Sequence, residues 1–126
     1  MNATNLRVLI VDDDESVLMN LSVFLEDEGF IVHGANTAEE ALPILSAEKI
    51  DAGIIDLRLP GMDGNSLILK AHELQPHTKF VIHTGLMGYT LPRELLDIGI
   101  GSEQVFVKPL SDMNVLVRAI KKLLIL

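Results

Sequence analysis

Four stretches of this 126-residue sequence run apolar and then stop at a residue able to do chemistry. VLIVDDD delivers Asp12, Asp13 and Asp14, IIDLRLPGMDG delivers Asp56, FVIHTG delivers Thr84, and VFVKP delivers Lys108. Pooled, these are carboxylates, one hydroxyl and one ammonium. Carboxylates brought close repel and raise each other's pKa unless a cation joins them. Oxygen donors of this kind suit Mg²⁺, which keeps several waters and takes one or two carboxylates plus phosphate oxygens. Taken singly, each residue has an ordinary explanation. Asp is a favoured helix N-cap, and Asp14 is expected to be only that. A lone Asp56 reads as a turn residue, Thr84 as a strand residue and Lys108 as a solvated side chain. Shared location is what would turn them into a site.

The elements between them supply that location. Leu6–Val11, Phe30–Ala35, Ala52–Asp56, Lys79–Thr84 and Val105–Val107 read as strands. Helices are expected at Glu15–Glu28, from Thr37 to about Glu48, Asn65–Leu74, Leu91–Ile98 and Ser111–Ile125, from apolar residues at helical spacing. Thr37 and Glu40 match a capping box, and Pro43 should bend the second helix. The order is β-α five times, and near-continuously apolar strands are those buried on both faces. The fold class is therefore α/β: one doubly wound domain over 1–126, a parallel sheet with helices on both faces, and residues 1–5 flexible. In such a sheet ligands sit at the carboxyl ends of the strands. That rim collects Asp12 and Asp13, Asp56, Thr84 and Lys108, while the second strand ends blandly.

Composition removes other chemistries. With no Cys, disulfides, thiolate catalysis and Cys-ligated zinc are excluded. A net charge of −8 and few aromatics argue against a nucleic-acid surface. The N-terminus lacks a secretory pattern, and no apolar run reaches membrane length, so a cytoplasmic protein without membrane contact is expected. His33, His72, His77 and His83 share no metal-ligand spacing, and His83 should point away from Thr84.

The ordered set V-D-D, D-x-x-x-P-G-M-D-G, T-G and V-K-P resembles the receiver domain of two-component response regulators, from about Leu6 to Ile125. The resemblance implies a flavodoxin-like strand order 2-1-3-4-5. It makes Asp56 the acceptor of a phosphoryl group from a histidine of a sensor kinase or phosphotransfer protein. Asp12, Asp13, Asp56 and the backbone carbonyl of Arg58 would hold Mg²⁺, while Thr84 and Lys108 would each take a phosphoryl oxygen. It also implies a cis Lys108–Pro109 bond. The chain would be a switch rather than an enzyme, assisting its own phosphorylation and dephosphorylation. The face of helix four, strand five and helix five would then meet an output protein or domain, or a second copy.

Two features depart from the family. Val105 stands where many receivers carry an aromatic, and Phe106 should face the other way. Tyr89, in the loop after Thr84, is the candidate for the missing ring. Gly99 and Gly101 lengthen the step before strand five, read as a longer loop. Two other functions compete. A Mg²⁺-dependent phosphohydrolase with an aspartyl-phosphate intermediate would want a second acid where Arg58 stands. A receiver-like interaction module that takes no phosphate is suggested by Val105, and opposed by the intact set Asp12, Asp13, Asp56, Thr84 and Lys108.

Overall fold

Strand and helix formation follow the apolar periodicities closely. In the computed structural model, which describes residues 5–125, the strands are β1 (Arg7–Val11), β2 (Ile31–Ala35), β3 (Ala52–Ile55), β4 (Lys79–Thr84) and β5 (Val105–Val107). The helices are α1 (Glu15–Asp27), α2 (Ala38–Ala47), α3 (Gly64–Leu74), α4 (Arg93–Asp97) and α5 (Asn114–Leu123). The expected mobility of residues 1–5 falls, apart from Asn5, outside the described residues. All pairings are parallel, in the order β2-β1-β3-β4-β5.

Alternation along the strands divides the core in two. Leu9, Val11, Ile55 and Ile82 face Ala38, Ala41, Leu45, Leu67, Ile68 and Leu95 of α2, α3 and α4. Val8, Ile10, Ile54 and Val81 face Leu18, Leu21, Leu25, Leu116, Val117 and Ile120 of α1 and α5. Because every pairing is parallel, every strand leaves the sheet at the same edge, and that edge holds the polar ends.

The starts of α1 and α2 are set by side chains. Asp14 caps α1, accepting from Ser16 N at 3.0 Å, as the sequence suggests. Thr37 caps α2, accepting from Glu40 N at 3.0 Å. Glu40 answers through Asn36 N, at 2.9 Å, rather than through Thr37 itself, so the box is one residue wider than expected. Pro43 lies inside α2 without ending it.

Three boundaries differ from expectation. α4 spans only Arg93–Asp97, because Pro92 serves as its N-cap and the chain before it stays extended. α5 starts at Asn114 rather than Ser111, after Asp112 folds back to accept from Asn114 N at 3.0 Å. The glycine-rich step is not a plain loop: Ser102–Gln104 forms a 3₁₀ turn. There the buried Gln104 donates to Phe80 O at 2.8 Å and accepts from Gly101 N at 2.9 Å.

At the opposite edge, Gln75 joins two loops. Its amide nitrogen donates to Leu45 O at 2.7 Å and Glu48 O at 2.6 Å, and its oxygen accepts from Ile50 N at 2.8 Å. Half-buried carbonyls and an N–H would be orphaned without it. Gln75→Leu is expected to lower the unfolding free energy by about 2 kcal/mol in urea denaturation. A loss below about 0.5 kcal/mol would show that water replaces the amide.

Candidate functional site

The rim residues meet at the carboxyl edge of β1, β3, β4 and β5. Asp12 follows β1 directly and is 2% exposed, and Asp56 follows β3 and is 4% exposed. Backbone bonds continue the sheet past its last residues, with Asp56 N donating to Val11 O at 2.9 Å and Asp12 N to Ala35 O at 3.1 Å. Asp13 is exposed at the mouth. Carboxylate oxygens of Asp12, Asp13 and Asp56 all lie within 4.8 Å of one another. That spacing, with an all-oxygen donor set, fits one hard divalent cation.

The ammonium of Lys108 occupies the same neighbourhood. Its Nζ lies 2.7 Å from Asp12 Oδ2 and 3.1 Å from Asp56 Oδ2. Lys108 N also donates to Thr84 O at 2.7 Å, so its backbone is fixed to the end of β4, and the Lys108–Pro109 bond is cis, as expected. Burial pulls the Lys108 pKa down. The hydrogen bond and charge of Asp12, then those of Asp56, outweigh it and leave the pKa above the ordinary lysine value. For Asp12 burial is the largest influence and pushes its carboxyl up. Lys108 and the Asp14 N–H pull it back, Asp56 pushes it further, and the net direction is upward.

Thr84 is fully buried, and its hydroxyl oxygen accepts from Leu86 N at 3.1 Å. This bond ties the hydroxyl to the loop that carries Tyr89. Arg58 sits two residues after Asp56 with its side chain exposed, and its N–H donates to Asp56 Oδ1 at 3.2 Å. Gly64 opens α3 so close to Asp56 that a Cβ there would lie 2.2 Å from the Asp56 carbonyl oxygen. Only glycine lets the helix start that near the Asp56 backbone.

Tyr89 and Val105 pack against the same core face and line one groove with Leu91, Leu96 and Ser102. The Tyr89 hydroxyl donates to Asn65 Oδ1 at 2.8 Å. Burial raises its pKa, the Asn65 bond opposes this, and the charge of Asp63 adds to it, so the phenol keeps its proton. Phe106 lies on the other face, with α1 and α5, as alternation requires. Sequence reading missed the polar side chains that brace the rim: Asn36, whose Nδ2 donates to Asp12 O at 3.2 Å, and Glu39, which accepts from Met62 N at 3.1 Å. The end of β2 is therefore not bland. An Asn after a strand was the available signal, whereas Glu39 offered none beyond its place in a helix's first turn.

The sequence model of the response regulator receiver domain matches residues 8–121. The chain belongs to that family. Among its relatives, the sporulation initiation phosphotransferase F of Bacillus subtilis is 28% identical over 120 residues, covering 95% of this chain and 94% of that protein. The transcriptional regulatory protein GlrR of Escherichia coli is 38% identical over 78 residues, which are 62% of this chain and 18% of the length of GlrR. A solved response regulator from Burkholderia pseudomallei is 28% identical with a TM-score of 0.79, over 92% of this chain and 66% of that one. It is described with a phosphorylated aspartic acid, a calcium ion and citrate. The receiver fold and strand order expected from the residues are thus both present.

One rim residue does not fit the family chemistry. His83 precedes Thr84, is 1% exposed, and neither ring nitrogen has a partner among the described residues. It lines a pocket with Asp14, Val17, Lys108, Leu110 and Met113, on the side of the sheet away from Tyr89. Burial, then the nearby Lys108 charge, lowers its pKa from 6.5 to about 4, with Asp56 opposing. A depressed folded value leaves stability intact above the unfolded pKa and removes it as pH falls, because the unfolded chain binds the proton first. Between pH 6.5 and about 4, His83 is expected to remove about 3 kcal/mol of stability. His83→Leu should lose that acid sensitivity in denaturation measured across this range, and an unchanged pH slope would contradict it.

Proposed function

We propose that the chain is a phosphorylation-dependent switch of a two-component system, with Asp56 as the phosphoacceptor. The observation that carries this reading is the Lys108 ammonium bonded to both Asp12 and Asp56 beside Asp13. An Asp56 oxygen attacks the phosphorus of a phosphohistidine on a sensor kinase or phosphotransfer protein. The P–O bond forms as the P–N bond breaks, and the imidazole leaves to take a proton from solvent. Asp12, Asp13, Asp56 and the Arg58 carbonyl are the groups that would hold Mg²⁺, which supplies positive charge to the phosphoryl oxygens when bound. Lys108 is positioned to turn from the carboxylates to one of those oxygens, and the Thr84 hydroxyl to donate to another. Little more is needed, because phosphoryl transfer is mostly positioning and charge neutralisation.

Receiver domains are signalling switches and not enzymes in the usual sense. Arg58 stands two residues after Asp56, where a phosphohydrolase of this kind would want its second acid. In the Burkholderia pseudomallei protein a phosphorylated aspartic acid accompanies a divalent ion, which supports the same pairing here. The output surface in this reading is the face of α4, β5 and α5, where Leu96 and Val107 are exposed. An output domain, a separate protein or a second copy of the chain would bind there. The relay to that face runs from Thr84 through Leu86 to Tyr89, whose ring stands in the groove beside Val105.

Incubation with Mg²⁺ and a small phosphodonor is expected to add one phosphoryl group by intact mass, and none in Asp56→Asn. An adduct that persists in Asp56→Asn would overturn the assignment. In Tyr89→Ala, phosphorylation should still occur while the accompanying amide shifts of β5 and α4 disappear from the NMR spectrum. Retention of those shifts would remove Tyr89 from the relay.

A further inference from the structure

Two loops carry the acidic cluster, one after β1 with Asp12 and Asp13, and one after β3 with Asp56 and Arg58. Their first residues stay tied to the sheet, Asp12 N to Ala35 O and Asp56 N to Val11 O, and beyond those bonds both loops leave it. The first turn of α2 reaches the second loop directly and the first through Asn36. Glu40 Oε1 accepts from Asn36 N at 2.9 Å, and Asn36 Nδ2 donates to the Asp12 carbonyl at 3.2 Å. Its neighbour Glu39 reaches the other loop, accepting from Met62 N at 3.1 Å through Oε2. The loop lies so tightly on Glu39 that a Cβ on Gly61 would come within 2.7 Å of the same oxygen, and Gly61 has φ +76°. Glu39 thus holds the loop after β3 directly, while Glu40 fixes the backbone of Asn36, whose side chain holds the Asp12 carbonyl.

We infer that the first turn of α2 is the brace that spaces the two cation-bearing loops, and that Glu39 is a positioning residue for the divalent-cation site. Glu39 is exposed and outside the cluster of ligand oxygens, so it acts through the backbone of the loop after Asp56. Supports of this kind orient the groups that touch the metal, and their loss commonly weakens metal binding by about 10–100-fold. The inference rests on the reading that Asp12, Asp13 and Asp56 hold Mg²⁺. It adds that the acceptor oxygen of Glu39, and not its charge, is what matters.

The test is a titration of the full chain with MgCl₂, following the backbone amide signals of Asp12, Asp13 and Asp56 by NMR. Glu39→Ala is expected to weaken Mg²⁺ binding about tenfold, with a thermal midpoint within about 2 °C of the parent. Glu39→Gln keeps an oxygen for the Met62 N–H and should restore affinity to within about twofold of the parent. Equal weakening in Glu39→Gln would make charge the cause and overturn the inference, as would unchanged affinity in Glu39→Ala. Absence of any Mg²⁺ response in the parent chain would instead overturn the reading on which it rests.

Discussion

Two buried carboxylates share one ammonium, and the rest of the rim is arranged around that fact. Asp12 and Asp56 are nearly inaccessible, and side by side they would repel each other without a cation. Lys108 holds both, within 3.1 Å, from a strand end that lies across the sheet from Asp12. Truncating one partner of such an arrangement leaves uncompensated buried charge, which is why its three members depend on one another. The same arrangement is also poised for change. In the proposed function an arriving phosphoryl group would add oxygens that compete for the ammonium, which would couple its chemistry to a rearrangement of the rim.

The parallel sheet makes the arrangement reachable. Parallel strands deliver all their carboxyl ends to one edge, and β1, β3 and β5 bring Asp12, Asp56 and Lys108 there from distant parts of the chain. Close approach is then a matter of detail. Gly64 lets α3 begin against the Asp56 carbonyl, Glu39 of α2 reaches the loop after β3, and Asn36 at the end of β2 reaches the Asp12 carbonyl. On the far side of Thr84, the Leu86 and Asn65 bonds connect the buried hydroxyl to Tyr89 and α3. The site therefore has one side built on the strands and another in the loop between Gly85 and Pro92.

Most of this was legible in the sequence, for identifiable reasons. Apolar runs that stop at Asp12, Asp56, Thr84 and Lys108 mark both the strands and their ends, so fold and site came from one pattern. Alternation was enough to separate Val105 from Phe106. What escaped were polar contacts between segments far apart in the chain. Nothing in Gln75, Gln104 or Glu39 distinguishes a bracing side chain from a solvated one until the segments are packed, and Asn36 offers only its place after a strand. Helix limits failed where local turns intervened, at Pro92 and at Asp112, and the 3₁₀ turn at Ser102–Gln104 depends on Gln104 finding Phe80. The unpartnered His83 could be placed on the correct face, but its isolation was not visible.

The shared ammonium is tested most directly by the titration of Asp12, followed through its carboxyl carbon by NMR in the parent chain and in Lys108→Met. Lys108 pulls the Asp12 pKa down by hydrogen bond and charge against the upward push of burial. Removing the ammonium is therefore predicted to raise the Asp12 pKa further. An unchanged or lower value in Lys108→Met would contradict the claim that Lys108 holds the two carboxylates together.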